Sequence, residues 1–266
     1  MYFRGMNDKS YPIKSSFDRA RESAKPLVRA KWMYEIALLR EFKRKAHQYI
    51  SDTPDNRDNL EWLALMRHYG APTRLVDFTY SHYIASYFAF HSLGCEDKVV
   101  WAIEREWLND EATRRCSAFL EIQEDKLDLD LPEQFSKCFL WPNDRNAITR
   151  RFVAAVNADR MNTRLTVQQG FFLCPGDIEQ SFEENLRSMI AENKSQKPVF
   201  KIVIPHSARN RALTELKYMN ISSTTLFPDL GGFANSLNDR FELLFNDFIV
   251  SEHALLKTIA YKAENK

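Results

Sequence analysis

Glycine is scarce in this chain, and its absence from key patterns excludes two common types of nucleotide site. Only 7 of the 266 residues are glycine. They form neither a glycine-rich phosphate loop nor the Gly-x-Gly-x-x-Gly fingerprint of dinucleotide-binding folds. P-loop ATP binding and Rossmann-type cofactor binding are therefore not expected. Internal repeats are also absent from the sequence.

Cysteines and long apolar runs are similarly sparse. Because the cysteines are about twenty or more positions apart and form no Cys-x-x-Cys pair, we expect no zinc site and no other metal. The four positions are Cys95, Cys116, Cys138 and Cys174. No run of about eighteen apolar residues is present, so we predict no membrane span. The chain opens without the charged and apolar regions of a signal peptide, which favours a cytoplasmic protein with free thiols.

Net charge is close to balanced, but it is unevenly distributed. The formal charge is +1, and 44% of the residues are hydrophobic, enough for a real core. Residues 1–50 contain twelve Lys/Arg and five Asp/Glu, whereas residues 104–133 contain four Lys/Arg and ten Asp/Glu. The simpler interpretation is that these two faces meet or remain solvated. Alternatively, the basic face attracts a phosphate-bearing ligand.

The most informative segment spans residues 59–81. Asn59 to Tyr69 has the spacing of an amphipathic helix, which Gly70 and Pro72 end. Thr73 to Phe78 has the length and branching of a short buried strand, and Ser81 can cap the helix that follows. A strand that leads directly into a capped helix presents side chains and free amide groups to one cleft. We therefore predict a site here.

Polar residues collect on this strand and at its ends. The candidates are His68, Thr73, Arg74, Asp77, Thr79 and Ser81. Arg74 and Asp77 are three positions apart on a strand and do not share a face, so each should meet a different partner. The alternative to a functional site is a structural role. Asp77 would then form an ordinary ion pair, and His68 would be a residue near a helix end whose hydrogen bonds are all made within the fold.

The remaining pattern indicates one α+β domain with a mixed sheet core, flanking helices and a helical carboxyl end. We predict strands at 98–104, at 166–173 with an interruption at Gly170, and at 199–204, each buried between neighbours. Helices are predicted at 32–50, 58–69, 181–193, 207–219 and 233–262, and residues 105–150 read as largely irregular. Residues 139–142 and 223–227 resemble short strands. Residues 1–240 would form the domain, and 241–266 a helical extension packed on it.

Five separated blocks resemble, in order, the FRG domain family. They are Phe3-Arg4-Gly5, Glu61 to Thr79, Ile84 to Ala89, Gln168 to Phe171, and Thr225 to Gly231, and they span roughly residues 2–240. The sequence departs from the family in two places. Val76 and Phe78 flank Asp77 where leucine and tryptophan are usual, and Arg67 stands where glutamine is common.

The order of these blocks also resembles the ADP-ribosyltransferase superfamily. This resemblance implies that Arg4 holds a phosphate or ribose of NAD, and that Gln168 or Gln169 stands at the position usual for a catalytic glutamate. The candidates for nucleotide binding are Arg4, Thr73, Arg74, Thr79 and Ser81, and those for catalysis are His68, Asp77 and Gln169. A guanidinium fork suits a pyrophosphate, and Gly5 would allow the ligand to approach the backbone closely. The structural alternative for Arg4 is an ion pair with Asp77 or Asp8.

Two functions follow from these observations. The first is an NAD-consuming enzyme, by ADP-ribosyl transfer to an unidentified protein or nucleic acid or by NAD glycohydrolysis. The family's association with bacterial mobile elements suggests a toxin or phage-defence effector. The second is a non-catalytic module that binds a nucleotide, a nucleic acid or a partner.

Glutamine cannot supply the anionic stabilisation that glycosidic cleavage needs, so Asp77 or a glutamate within 177–192 would have to supply it. No Gly-x-Ser-x-Gly elbow or clustered carboxylates support a serine hydrolase or a metal nuclease.

Overall fold

A six-stranded antiparallel sheet organises the fold. The computed structural model describes residues 1–24, 31–92, 94–140, 150–160, 162–192 and 197–237. The strands are β1 (Tyr2–Met6), β2 (Val76–Thr79), β3 (Lys98–Ile103), β4 (Val153–Val156), β5 (Gly170–Pro175) and β6 (Val199–Ile204). Their order is β4-β5-β2-β1-β3-β6, and every described pairing is antiparallel. The predicted α+β class is confirmed, with an antiparallel rather than a mixed sheet.

α-Helices in the described part of the chain surround this sheet. They are α1 (Ser16–Ala24), α2 (Lys31–Ala46), α3 (Asn59–His68), α4 (His82–His91), α5 (Arg105–Leu120), α6 (Pro132–Phe135), α7 (Thr163–Val167), α8 (Phe182–Glu192), α9 (Arg209–Tyr218) and α10 (Ser223–Leu226). Residues 230–237 are also helical. Helix α4 packs on β1 and β3, whereas α5 and α8 pack on β4. Among the described residues, no helix is both long enough and apolar enough to cross a bilayer.

Gly5 is explained by the packing of α4 on β1. A Cβ atom at Gly5 would lie 1.7 Å from the carbonyl oxygen of Ala85 and 2.7 Å from the backbone nitrogen of Ala89. Both atoms belong to the backbone of α4, so no side-chain rotation could relieve the overlap. The glycine therefore allows close approach of a helix. The expectation that it serves ligand approach is not needed to explain it.

The strand predicted at 166–173 is wrong over its first half. Residues 163–167 form α7, and β5 begins only at Gly170. The Asn162 side chain accepts a hydrogen bond from the backbone nitrogen of Leu165 at 2.8 Å and so starts the helix. Gln169 then has a left-handed φ of 45°, which turns the chain from the helix into the strand. A capped helical turn was thus read as the start of a strand.

Other segments also differ from prediction. The region expected to be irregular contains the sixteen-residue helix α5, and β4 was not foreseen. Residues 136–140 form a π-helical turn where a strand stub was expected at 139–142, of which 141–142 lie outside the described residues. Residues 223–226 are helical because Ser222 and Thr225 form a reciprocal capping box. The predicted extension at 241–266 also lies outside the described residues.

Strand β6 is present as predicted, but its surroundings differ from the prediction. It pairs with β3 and forms an edge of the sheet. Three of its apolar side chains, Phe200, Ile202 and Val203, are each 48% exposed. A continuous apolar run was taken to mean burial between neighbours, and that inference is wrong for an edge strand.

Candidate functional site

A cavity lies where β1 and β2 separate. Strand β1 pairs with β3 along all five of its residues but with β2 at only one position, Phe3 opposite Thr79. The cavity has a volume of about 420 Å³. Its walls come from β1, α3, β2, α4, α7 and β5, and its polar lining residues are Arg4, Arg67, His68, Asp77, Thr79, Asn162, Arg164 and Gln168.

Arg4 lies in the gap between the two strands. Its Nη1 donates a hydrogen bond to the backbone carbonyl of Asp77 at 2.5 Å and lies 3.9 Å from the Asp77 carboxylate. Its Nε is buried and has no hydrogen-bond partner among the described residues. Burial lowers the pKa of Arg4 to about 10, with a smaller contribution from Arg67 and against the effect of Asp77. An unpaired donor on a crowded cation favours a further anionic partner.

Arg67 forms the main ion pair of the cavity. Its Nε donates to the two carboxylate oxygens of Asp77 at 3.2 and 3.0 Å, and its Nη2 also contacts Oδ2. Burial alone would raise the pKa of Asp77, but Arg67 and then Arg4 reverse this effect and hold that pKa below its usual value. The Asp77 side chain is nevertheless 42% exposed, so part of this ionised carboxylate faces the cavity.

Arg164 supplies a third guanidinium from α7. Its Cζ lies 4.5 Å from the centroid of the Phe227 ring, and its side chain forms no hydrogen bond or ion pair with the described part of the chain. Burial is the largest cause that lowers the pKa of Arg164, and Arg67 adds to it, while the charges of Asp77 and Asp229 act in the opposite direction. The described lining thus carries three arginines and one aspartate, a surplus of two positive charges.

His68 lies at the cavity wall beside Arg164. Burial is the largest cause that lowers the pKa of His68, and the charge of Arg164 adds to it, while Asp229 acts in the opposite direction. The imidazole is therefore mainly neutral at pH 7, since its ordinary pKa is already about 6.5. A neutral ring can donate or accept a hydrogen bond without adding to the positive charge of the cavity.

Thr79 connects β2 to the turn before β5. Its Oγ1 donates to the backbone carbonyl of Gln168 at 2.8 Å and accepts a hydrogen bond from the backbone nitrogen of Ser81 at 3.1 Å. Gln168 lines the cavity, and its Nε2 donates to the backbone carbonyl of Leu226 at 2.9 Å. Of the two glutamines considered from the sequence, Gln168 is the one at the cavity.

Arg74 is not part of this cavity, which corrects the expectation that it faces the ligand. It is 1% exposed, and its Nε donates to both carboxylate oxygens of Glu35 at 2.9 Å. Its Nη1 lies 3.3 Å from the carbonyl of Pro175. Glu35 on α2 is thus the partner of Arg74, and Arg67 that of Asp77. The prediction that Arg74 and Asp77 meet different partners is confirmed.

Three further predicted residues do not line the cavity either. Thr73 is buried under α1, where its backbone nitrogen donates to Ser16 Oγ at 3.0 Å. Ser81 accepts a hydrogen bond from the backbone nitrogen of Ile84 at 3.3 Å as the cap of α4. Gln169 accepts one from Tyr80 through its backbone at 3.0 Å. The Ser81 side chain thus caps a helix, and Thr73 and Gln169 hold the local fold through their backbone groups, whereas the buried Thr73 hydroxyl has no hydrogen-bond partner among the described residues.

Three of the glutamates proposed within 177–192, those whose side chains the structure describes, do not supply a carboxylate to the cavity. Glu179 accepts from the backbone of Trp32, Glu183 from that of Ile13, and Glu184 from Ser181. Asp77 therefore remains the carboxylate among the described lining residues. Nor do the described residues contain a group of three or more His, Cys, Asp or Glu side chains arranged to hold a metal ion.

Three lining residues were missed in the sequence. Arg67 was noted only as a departure from the family pattern, although its position in the last turn of α3 places a cation at the cavity. Asn162 and Arg164 were overlooked because the segment was read as the approach to a strand. The available signal was Asn162 as a helix cap three positions before Leu165.

Comparison with known families gives one match. The family model of the FRG domain matches residues 1–98, whereas no curated protein and no solved structure matches the chain. The matched part includes Arg4, Arg67 and Asp77, and Arg164 and Gln168 lie outside it. The resemblance to the FRG family is therefore confirmed over residues 1–98, which contain three of the five blocks, whereas the blocks at Gln168 to Phe171 and Thr225 to Gly231 lie outside the match.

Proposed function

We propose that the cavity between β1 and β2 binds a nucleotide through its phosphates. The observation that carries this proposal is the surplus of positive charge on Arg4, Arg67 and Arg164, which Asp77 balances only in part. Planar guanidinium groups form short, paired hydrogen bonds with phosphate oxygens. The cavity volume of about 420 Å³ lies within the range usual for small-molecule sites, roughly 300–1,000 Å³.

NAD is the proposed nucleotide, because the motif order resembles that of ADP-ribosyltransferases. The apolar walls supplied by Phe3 and Phe88 suit an aromatic base or the nicotinamide ring. A dinucleotide pyrophosphate carries two negative charges, which equal the surplus of the described lining. Binding without turnover is the first candidate, since Arg67 already occupies both oxygens of Asp77 and so weakens its negative potential.

NAD consumption is the second candidate, favoured by the ionised and partly exposed Asp77. In that reaction the bond between ribose C1′ and the nicotinamide nitrogen breaks, and nicotinamide leaves with the bonding electrons. Water or an acceptor hydroxyl then forms the new bond to C1′ and loses its proton. Asp77 would stabilise the positive charge that develops on the ribose. A protein or nucleic-acid acceptor and a toxin or phage-defence role belong to this candidate.

The test combines calorimetric titration with a nicotinamide-release assay. We expect wild-type protein to bind NAD and ADP-ribose, and Arg4→Ala to weaken binding by two orders of magnitude or more, because a desolvated charged contact is lost. Arg211→Ala is the control, since that arginine is 86% exposed and pairs only with Glu215 among the described residues. Wild-type protein that binds neither NAD nor ADP-ribose overturns the proposal.

Asp77→Asn separates the two candidates. If the protein consumes NAD, wild type releases nicotinamide, and the variant loses that activity by orders of magnitude while it still binds ADP-ribose. If the protein only binds, wild type releases no nicotinamide with or without cell extract, and the variant shifts affinity alone. Growth of a bacterial host that expresses wild type or Arg4→Ala then tests the toxin role, because toxicity should depend on Arg4.

A further inference from the structure

We infer that Phe227, which lies outside the matched FRG segment, is a positioning residue that holds Arg164 in place at the cavity. The Arg164 guanidinium lies over the Phe227 ring, with 4.5 Å between Cζ and the ring centroid. Arg164 lines the cavity, whereas Phe227 does not. The inference rests on the proposed nucleotide binding for its effect on affinity, but the contact itself can be tested without a ligand.

The Phe227 ring is itself fixed by α4. It meets Phe88 edge-to-face with centroids 6.0 Å apart, and His91 at the same centroid distance. The preceding residue, Leu226, is 3% exposed and belongs to a small core cluster with Ile84. A ring held from behind by packed neighbours is a rigid platform for a long, flexible side chain.

The same short segment also holds the other end of α7. The Leu226 carbonyl accepts a hydrogen bond from Gln168 Nε2 at 2.9 Å, while Asn162 caps the start of the helix. Helix α7 has only five residues and would not be stable alone. Residues 226–227 therefore fix both the backbone that carries Arg164 and the direction of its side chain.

The contact with the Phe227 ring leaves the N–H groups of Arg164 available to a ligand. The Cζ of Arg164 lies over the ring, and the described part of the chain contains no hydrogen-bond partner for its N–H groups. A side chain already held in place loses less conformational freedom when it binds an anion. No carboxylate of the described residues forms an ion pair with Arg164, although Asp77 and Asp229 raise its pKa through longer-range charge effects, so the ring is its direct contact. The charge of Arg164 then reaches a ligand that Arg4 and Arg67 also contact.

The first experiment needs no ligand. Wild type, Phe227→Leu and Phe227→Tyr are treated with phenylglyoxal, and modification of Arg164 is followed by peptide mass spectrometry with exposed Arg44 as internal reference. We expect Phe227→Leu to raise the modification rate of Arg164 relative to Arg44 several-fold, and Phe227→Tyr to retain the wild-type rate. An unchanged rate in Phe227→Leu overturns the inference. If that variant does not fold, as judged by circular dichroism, Phe227→Met replaces it.

The second experiment is a double-mutant cycle measured by ADP-ribose titration. Phe227→Leu should weaken binding about tenfold in the wild-type background and have no further effect in Arg164→Ala. An equal loss in both backgrounds would mean that Phe227 acts through general structure, and it overturns the positioning role. If wild type binds no nucleotide, the proposed function fails, while the labelling result still decides whether Phe227 holds Arg164.

Discussion

Arg4 reaches across the opening of the sheet and donates a hydrogen bond to the backbone carbonyl of Asp77, 73 positions away, at 2.5 Å. In a continuous antiparallel ladder, a backbone N–H of the neighbouring strand would normally fill that acceptor. A side chain here replaces the ladder contact and holds β1 and β2 apart without leaving the carbonyl unpaired. The gap that results is the cavity, so the same arginine opens the site and supplies part of its charge.

Asp77 should make stability depend on pH at the acid end. Its pKa is lowered in the folded state, so its contribution is fully present above the unfolded value, about 3.9, and is lost as the pH falls through the folded value below that. Asp77→Asn removes this contribution. Urea unfolding between pH 6 and pH 2 should therefore show that the difference in free energy of unfolding between wild type and the variant shrinks as the pH falls. A difference that stays constant over this range would contradict the assignment.

Glu41→Gln is the control for this measurement. Glu41 also has a lowered pKa, through its hydrogen bond to Lys45, but the pair lies on the surface of α2. Solvent screening makes such pairs weak, so the free energy of unfolding of Glu41→Gln should stay close to that of wild type at every pH.

The buried pair Arg74–Glu35 should matter for stability and not for ligand binding. Glu35→Gln leaves the Arg74 guanidinium in the core without its carboxylate, a change that typically costs about 3–5 kcal/mol. Glu215→Gln, which removes the partner of exposed Arg211, should change the free energy of unfolding far less, because water screens that pair. Denaturant unfolding measures both. The double variant Arg74→Met with Glu35→Leu should recover much of the lost stability. It should also bind nucleotide with the wild-type affinity, and a weaker affinity would place Arg74 in the site.

Strong local periodicity explains which elements could be predicted. Helices α2 and α3 and strand β3 lie within a few residues of their predicted bounds, because their apolar residues repeat regularly over several turns or pleats. Helix α5 was missed because its buried face includes Arg115 as well as Leu108 and Cys116 within an acidic stretch. A buried arginine that donates to the backbone of Arg151 is polar in the sequence and part of the core in the fold.

The site was predictable only where one segment or a family pattern brought its residues together. Asp77 and Thr79 share a strand, and Arg4 was connected to them by the resemblance alone. Arg74 was misplaced because its partner, Glu35, lies 39 positions upstream on a helix that the sequence does not orient. Arg164 was missed because its segment was interpreted as the approach to a strand, and because no local pattern reports its contact with Phe227, 63 positions later.

Gly5→Ala should disturb the packing of α4 on β1. The added Cβ would overlap the backbone of Ala85 and Ala89, so the helix must shift, at a cost of roughly 1–3 kcal/mol or more. Gly70→Ala is the matched control. Unlike Gly5, Gly70 has a glycine-type φ of +81°, and no atom lies within 4 Å of the added Cβ, so only backbone strain of about 1–2 kcal/mol is expected. Both glycines line the cavity, so the two variants are compared by their free energy of unfolding in urea and not by nucleotide affinity. A loss of stability in Gly5→Ala no larger than that in Gly70→Ala would contradict the packing explanation.

The edge position of β6 can be tested with one ladder pair. Val99 on β3 and Val203 on β6 are directly opposite each other, yet Val99 is fully buried and Val203 is 48% exposed. Val→Thr keeps the shape and adds a hydroxyl at either position. At Val99 the hydroxyl enters an apolar layer, and without a partner it should cost about 1–3 kcal/mol. At Val203 water can bond to the hydroxyl, so the free energy of unfolding should change by no more than about 0.5 kcal/mol.

Urea unfolding of the two variants measures this difference in stability. If both variants lose stability equally, β6 is covered in solution, and the strand is not the free edge that its exposure indicates.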